Sequence, residues 1–210
     1  CGRIHGDIKP RNIVLLQVAD EMVWILIDLD ASCKIGSLAG QKVTSSAFLS
    51  PEMARQLLAP PASEADRVKA SVQLEMWAFG VVLYQLCTTD GETLWHANQA
   101  DDIGEDQLRQ LAHQWEEVKA AKMSKIVWHQ AAHLAGWLLQ EDPSRRPQSW
   151  DQVLQHPFLA SEAGPATHKR VVMSCPEMGT LNADGSGPYD QDVMEKVSEL
   201  QQIGYVKFGF

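Results

Sequence analysis

The chain shows two kinds of hydrophobic pattern, short β-rich runs near its start and longer helical patterns after residue 50. The runs NIVLLQ (12–17) and MVWILI (22–27) are separated by the polar residues ADE (19–21). Two apolar runs joined by a short polar segment predict a β-hairpin. Residues 30–50 show no sustained period, which predicts a long loop of the kind that often carries function.

Helical patterns fill most of the chain from residue 51 to residue 159. SPE (50–52) has the order of a helix start, with Ser as a cap and Pro in the first turn. Residues 71–89 are apolar on nearly every side, which is typical of a helix buried in a core. Further helices are predicted at 105–122, 125–140 and 146–155.

Composition excludes several classes of function. The 210 residues carry a net charge of −9, which gives no support for binding to nucleic acid or to an anionic membrane. No apolar run approaches the roughly 20 residues of a membrane span. The four cysteines form no CxxC pair, which favours free thiols in a reducing compartment, and we expect a cytoplasmic protein.

The chain begins with Cys and lacks an initiator Met, so we expect an N-terminal portion to be missing. Targeting or membrane segments upstream of Cys1 stay open.

A cluster of polar residues lies in the stretch IHGDIKPRNIVLL (4–16), directly before the first apolar run. Asn12 precedes the first strand of the predicted hairpin and Asp28 follows the second, so we expect the two to lie close together. Asp7 and Lys9 lie in the preceding loop. Carboxylate and amide oxygens suit Mg²⁺ bound to phosphates, and a positioned Asp can accept a proton from a hydroxyl nucleophile. The alternative is that these residues only form turns and caps at strand ends.

Five segments together resemble the eukaryotic protein kinases. HGDIKPRN is similar to the catalytic loop H-R-D-L-x-x-x-N, DLD stands in the place of D-F-G, and SPE stands in the place of A-P-E. EMWAFGVVLYQL is similar to the core helix D-x-W-x-x-G, and DPSRRPQSWDQVLQHPF is similar to the closing segment that carries an Arg. The order is that of the family and covers residues 1–159. The resemblance implies a mainly α fold of the α+β class, a kinase-like C-terminal lobe with a small β-hairpin beside the catalytic loop.

The resemblance also implies roles for individual residues. Asp7 is expected to be the base that orients the substrate hydroxyl, and Lys9 is expected to neutralise the transferring phosphate. Asn12 and Asp28 are expected to hold Mg²⁺ on the phosphates of ATP. Lys two places after the catalytic Asp is the serine/threonine-kinase pattern, and Ser45 lies at or near the hydroxyl position that lines the serine/threonine site.

Three further residues are implied to be structural. Glu52 and Arg146 look like the buried ion pair of the family, which ties the activation segment to the late helices. Glu75 stands where the family has an Asp that braces the catalytic loop through backbone hydrogen bonds. Its extra methylene either displaces that loop or is absorbed locally.

The sequence departs from the family in what it lacks. No G-x-G-x-x-G and no V-A-I-K occur, so we expect only the C-terminal lobe, with the N-terminal lobe missing. The 210-residue polypeptide by itself is then expected neither to bind ATP tightly nor to transfer phosphate to a protein substrate. Gly6 replaces the Arg of H-R-D, which makes regulation by activation-loop phosphorylation less expected. Asp30 replaces the Gly of D-F-G, which restricts the switch of that loop.

Two other functions stay open on the sequence alone. A pseudokinase-like scaffold would use the same fold to bind partners, and Asp30 and Glu75 favour it, whereas the four retained polar residues favour an enzyme. A metal-binding or hydrolytic domain unrelated to kinases is disfavoured by the long buried helix that contains EMWAFG.

The remaining features have simpler interpretations. Residues 160–189 lack a period and predict a linker, and residues 190–210 predict a helix and a strand that could begin a truncated further domain. Asp101 and Asp102 are interpreted as a solvated loop, and the alternative is that they contribute to a surface for a basic substrate. His129 and His133 are four apart on a helix without a third metal ligand, so we interpret them as exposed or capping residues. Four tryptophans are expected in the core, and these are Trp77, Trp115, Trp128 and Trp137.

Overall fold

The computed structural model describes residues 2–18, 21–40 and 45–160. These residues divide into two compact units, one formed by residues 2–12 and 28–160 and the other by the hairpin residues between them. The linker predicted at 160–189 and the helix and strand predicted at 190–210 lie outside the described residues, apart from residue 160 itself.

The predicted hairpin is confirmed. Strand β2 (Ile13–Val18) pairs antiparallel with strand β3 (Glu21–Leu26). The register places Ile13 opposite Leu26 and Leu15 opposite Trp24. Because Asn12 directly precedes β2 and Asp28 follows β3 by one intervening residue, each residue adjoins an end of the paired strands.

A second, shorter ladder lies within the larger unit. Strand β1 (Arg3–Ile4) pairs antiparallel with strand β4 (Cys33–Lys34), which joins the start of the chain to the segment after Asp28. Residues 30–50, predicted as a loop, therefore contain short ordered elements. Besides β4 these are 3₁₀ turns at Leu29–Ala31 and Ser46–Phe48.

Seven helices follow among the described residues. They are α1 (Pro51–Leu58), α2 (Val72–Cys87), α3 (Glu105–His113), α4 (Trp115–Met123), α5 (His129–Leu138), α6 (Trp150–Leu154) and α7 (Pro157–Ala160). The single helix predicted at 105–122 is interrupted at Gln114, whose ψ of 18° departs from helical geometry. The helix predicted from residue 125 begins at His129, after an extended Trp128.

Helix α2 forms the centre of the core, as its apolar pattern predicts. Its residues Met76, Trp77 and Tyr84 are fully buried and belong to one cluster with Leu134 and Leu138 of α5. Gly80 allows the two helices to approach closely, because a Cβ there would lie 2.9 Å from the Cβ of Leu138. Contacts of this kind fix α2 against α5. The loops at residues 5–12 and 45–50 pack against this core.

The tryptophans divide between core and surface. Trp77 and Trp115 are fully buried and meet edge to face, with ring centroids 5.2 Å apart. Trp95, which the sequence did not single out, joins this cluster. The prediction for Trp128 is wrong, because this residue precedes α5 and its side chain is 40% exposed.

No helix in the described ranges is both long enough and apolar enough to cross a membrane.

Two histidines form a pair at the end of the larger unit. The Nδ1 atom of His133 lies 2.8 Å from Nε2 of His156, and the amide of Phe158 donates to Nδ1 of His156. The neutral His156 ring therefore carries its proton on Nε2 and donates it to His133. Burial, and then the nearby His133, lower the pKa of His156 below its ordinary value. His133 is thus a pairing residue, and no group of metal ligands includes it among the described residues.

We expect this pair to make stability depend on pH. A histidine whose pKa is lowered by folding stabilises the protein above pH about 6.5, and that contribution is lost as the pH falls through the folded-state pKa. The free energy of unfolding of the wild type should therefore drop more steeply between pH 7 and pH 5 than that of His156→Gln. Denaturant titrations at both pH values measure the difference. The exposed His129→Gln variant should keep the wild-type slope, and equal slopes for wild type and His156→Gln would contradict the expectation.

Candidate active site

The loop before the hairpin brings three polar side chains into contact. Lys9 Nζ lies 2.8 Å from Asp7 Oδ2 and donates to Ser45 Oγ, also at 2.8 Å. The side chains of Asp7 and Lys9 are only 12% and 16% exposed, so the pair is weakly screened by solvent. The other carboxylate oxygen of Asp7, Oδ1, is buried and has no hydrogen-bond partner in the described structure. A buried acceptor of this kind is suited to accept a hydrogen bond, or a proton, from a hydroxyl group of a ligand.

Asn12 contacts the same carboxylate oxygen of Asp7 that Lys9 contacts. It ends a 3₁₀ turn at Pro10–Asn12, closed by its amide donating to the Lys9 carbonyl. The buried side-chain Nδ2 donates to Asp7 O at 2.8 Å and to Asp7 Oδ2 at 3.2 Å. With the nitrogen directed at Asp7, the amide oxygen is the atom that could bind a cation.

Asp28 adopts a different geometry. It is an exposed residue with a φ of 65°, and its Oδ1 accepts a long hydrogen bond from the amide of Asp30 at 3.4 Å. Asp tolerates this left-handed conformation better than most residues because its short side chain bonds its own backbone. Direct side-chain contacts therefore join Asp7, Lys9 and Asn12, whereas the hydrogen bond of Asp28 is local to its own turn.

Asp7 and Ser45 both line a cavity of about 530 Å³ beside the loop of residues 5–12. Within the described ranges, no three His, Cys, Asp or Glu side chains are grouped as a metal site. The amide oxygen of Asn12 and the carboxylate of Asp28 are donors of the kind that Mg²⁺ prefers, and phosphate oxygens would have to complete its coordination.

Glu75, on α2, braces the loop of residues 5–12. Its Oε2 accepts from the amide of His5 at 2.9 Å and its Oε1 accepts from the amide of Gly6 at 3.0 Å. Burial raises the pKa of the Glu75 carboxyl above its usual value, and the two backbone hydrogen bonds act in the opposite direction. Both bonds have ordinary lengths, so the longer side chain is accommodated without loss of the brace.

Gly6 is a point of close approach between two segments of the site. Its φ is 85°, and a Cβ at this position would lie 2.5 Å from the carbonyl oxygen of Ala31. The turn after Asp28 thus packs directly against the loop of residues 5–12. The Arg that the family has here would require both the backbone and this contact to change.

We expect a side chain at position 6 to lower the stability of the protein. Gly6→Ala should lower the free energy of unfolding by about 1–2 kcal/mol for the left-handed backbone, plus about 1–3 kcal/mol for the clash with Ala31. Gly36→Ala is the matched control, because Gly36 has a φ of 86° and open space around its Cβ position. In denaturant unfolding, Gly6→Ala should lose more stability than Gly36→Ala. Equal losses would show that the clash with Ala31 does not contribute.

Glu52 and Arg146 form the ion pair that the resemblance implies. The Arg146 nitrogens Nη1 and Nη2 each lie 2.7 Å from one oxygen of Glu52. The remaining N–H groups of Arg146 donate to three backbone carbonyls, those of Gln73, Gln140 and Glu141. The guanidinium is fully buried and lies over the ring of Trp77. All five donors of the side chain are therefore satisfied.

The sequence did not reveal the role of Asp102. Its Oδ1 accepts from both the amide and the hydroxyl of Ser46, at 3.1 and 3.0 Å. The interpretation of this residue as part of a solvated loop is therefore wrong. The two partners are 56 positions apart in the chain, and no local pattern indicates such a contact.

The chain is similar to known protein kinases. A family model described as protein kinase domain matches residues 1–159. The serine/threonine-protein kinase Kist of Homo sapiens is 24% identical over 202 residues, which is 96% of this chain and 46% of Kist. Calcium-dependent protein kinase 14 of Oryza sativa subsp. japonica is 28% identical over 163 residues, covering 77% of this chain and 27% of that protein.

A solved kinase structure has a similar fold. The structure of the Cydia pomonella granulovirus kinase PK-1 superposes with a TM-score of 0.51 at 21% identity, covering 75% of this chain and 51% of that one. In the sequence comparison, the chain spans about half the length of the Kist proteins that it matches. Since the family model covers residues 1–159 and the fold agrees with it, the chain belongs to the protein kinase family.

Proposed function

We propose that the full-length protein containing this chain transfers the γ-phosphoryl group of ATP to a serine or threonine hydroxyl of a protein substrate. The observation that carries the proposal is the contact set of Asp7, Lys9 and Asn12 around one partly buried carboxylate. Phosphoryl transfer depends mainly on positioning and on compensation of charge, and these residue types supply both.

Asp7 is the proposed base. Its buried, unpartnered Oδ1 can accept the proton of a substrate hydroxyl, while Oδ2 is held by Lys9 and Asn12. A carboxylate fixed at one oxygen and without a hydrogen-bond partner at the other presents that second acceptor in one orientation. Asp7 thereby orients the hydroxyl for attack on phosphorus and takes its proton as the bond forms.

Lys9 has two roles in the proposal. Its ammonium group compensates the negative charge on the phosphoryl group during transfer. Its contact with Ser45 also connects the catalytic loop to the segment at residues 45–48. This contact, and the name of the Kist relatives, support the assignment to the serine/threonine class.

Mg²⁺ and ATP are the proposed cofactors, held on this side by Asn12 and Asp28. The antiparallel pairing of Ile13 with Leu26 supports the proximity of the two residues that adjoin those strand ends. The bound ion would neutralise the phosphate oxygens. Asp28 is presented by its left-handed backbone at the start of the Leu29–Ala31 turn.

The rest of the nucleotide site is proposed to lie in an N-terminal lobe outside this chain. A glycine-rich loop and a strand Lys paired with a helix Glu complete such sites, and the chain contains neither motif. The 210-residue polypeptide alone should therefore be inactive, and ATP, the N-terminal lobe and a protein substrate are its proposed partners. We also propose that the protein is cytoplasmic.

The experiment is a transfer assay with the full-length protein, radiolabelled ATP and casein, followed by phosphoamino acid analysis. We expect label on serine or threonine, its loss when EDTA removes Mg²⁺, and its return when Mg²⁺ is restored. The 210-residue chain is the matched control and should transfer no label. Absence of transfer by the folded full-length protein would contradict the proposal and favour a pseudokinase-like scaffold.

A further inference from the structure

The loop between α2 and α3 is held in one conformation by its own hydrogen bonds. The side-chain oxygen of Asn98 accepts from the amides of Ala100 and Asp102, at 2.8 and 3.0 Å. Backbone bonds join Asn98 to Asp102 and Asp101 to Asn98. Asp101 adopts a φ of 62°, which turns the chain sharply at this point. The loop is therefore a fixed support for whatever it contacts.

This loop binds the segment Ser45–Phe48, here called the receiving segment. Ser46 donates twice to Asp102 Oδ1, and the amide of Ile103 donates back to Ser46 Oγ at 2.9 Å. The amide of Ala47 donates to the carbonyl of Asp101 at 3.0 Å. Ser46 and Ala47 are buried, so these bonds satisfy donors that would otherwise be costly to bury.

The receiving segment and the catalytic loop are linked on both sides of this contact. Ser45, next to Ser46, accepts the hydrogen bond from Lys9. On the other side Asp101 Oδ2 lies 3.6 Å from Nε of Arg11, in the catalytic loop. A displacement of Ser46 would therefore move the group that Lys9 contacts, even though Asp102 itself has no part in the chemistry.

We propose that Asp102 is a positioning residue that holds the receiving segment at the depth where it accepts the polypeptide around the reacting hydroxyl. The inference rests on the proposed function, because it takes Ser45, which accepts a hydrogen bond from Lys9, to lie beside the reacting hydroxyl of the protein substrate. Asp102 carries two of the bonds through one atom, so its removal frees both donors of Ser46 at once. The site of ATP, built on Asn12 and Asp28, does not include this contact.

Three variants of the full-length protein separate positioning from charge and from folding. Asp102→Ala removes the acceptor, and Asp102→Asn keeps an amide oxygen that can accept both bonds. Asp106→Ala removes a nearby acidic charge from a fully exposed side chain and is the matched control. The readouts are KM for a substrate peptide, KM for ATP, and hydrogen exchange of the Ser46 and Ala47 amides.

We expect Asp102→Ala to raise KM for the peptide by about tenfold, the loss of one to two buried hydrogen bonds, with KM for ATP unchanged. Exchange at both amides should increase. Asp102→Asn should restore KM for the peptide to about twofold of wild type or better, and Asp106→Ala should match wild type.

The outcomes also separate this inference from the proposed function. An active wild type whose peptide KM is unchanged by Asp102→Ala would overturn the inference alone. A parallel rise in both KM values, or no restoration by Asp102→Asn, would also overturn it, because a general loss of structure would then explain the effect. A full-length protein that transfers no phosphate would overturn the proposed function and this inference together.

Discussion

Arg146→Ala is expected to lower the free energy of unfolding by about 3–5 kcal/mol, the cost of removing one partner of a buried ion pair. The substitution leaves the Glu52 carboxylate without its bidentate partner. It also leaves the carbonyls of Gln73, Gln140 and Glu141 without the donors that now reach them. The cavity left beside Trp77 adds to the loss, because the guanidinium lies over that ring.

Urea unfolding followed by tryptophan fluorescence measures the effect. Arg109→Ala is the matched control, since Arg109 is 60% exposed and pairs with Glu105 on the surface of α3. Its loss should cost less than about 1 kcal/mol. If Arg146→Ala prevents folding, Glu52→Gln tests the same pair and should be destabilised by more than the control. Equal losses for the buried and the exposed pair would contradict the assignment of this ion pair as a structural tie.

The parts of the site that the sequence predicts are those set by local spacing. Asp7, Lys9 and Asn12 lie within six positions, so a single turn of chain is enough to bring their side chains together. The hairpin follows from two apolar runs and the polar break between them. Helix α2 follows from an apolar pattern on all sides, and the structure places it in the core.

The resemblance implies two contacts between distant segments, the Glu52–Arg146 pair and the brace from Glu75, and both are present. Other contacts between distant segments are not predicted by the sequence. Asp102 meets Ser46 across 56 positions, and His133 meets His156 across 23. Neither pair leaves a periodic signal, because each contact depends on how helices and loops pack after they have formed. The same limit explains why Trp128 was placed in the core: its spacing suited a helix, but the helix begins one residue later.

Gly6 shows how a departure from a family motif can be read in both directions. The sequence indicates a missing Arg and therefore a missing route of regulation. The carbonyl of Ala31 lies where a side chain at position 6 would begin, so the glycine also serves the packing of two loops. The structure reveals this second role. Neither a φ of 85° nor a close contact changes the composition or the hydrophobic period of the sequence.

The most direct test of the central claim, that Asp7 is the base of a phosphoryl-transfer site, is the rate of transfer by full-length protein carrying Asp7→Asn. Asn keeps the size of the side chain but cannot accept a proton, so we expect kcat to fall by about 10²- to 10⁴-fold. The melting temperature should stay near that of wild type, and the fully exposed Asp106→Asn should transfer phosphate at the wild-type rate. A folded Asp7→Asn protein with wild-type kcat would contradict the claim.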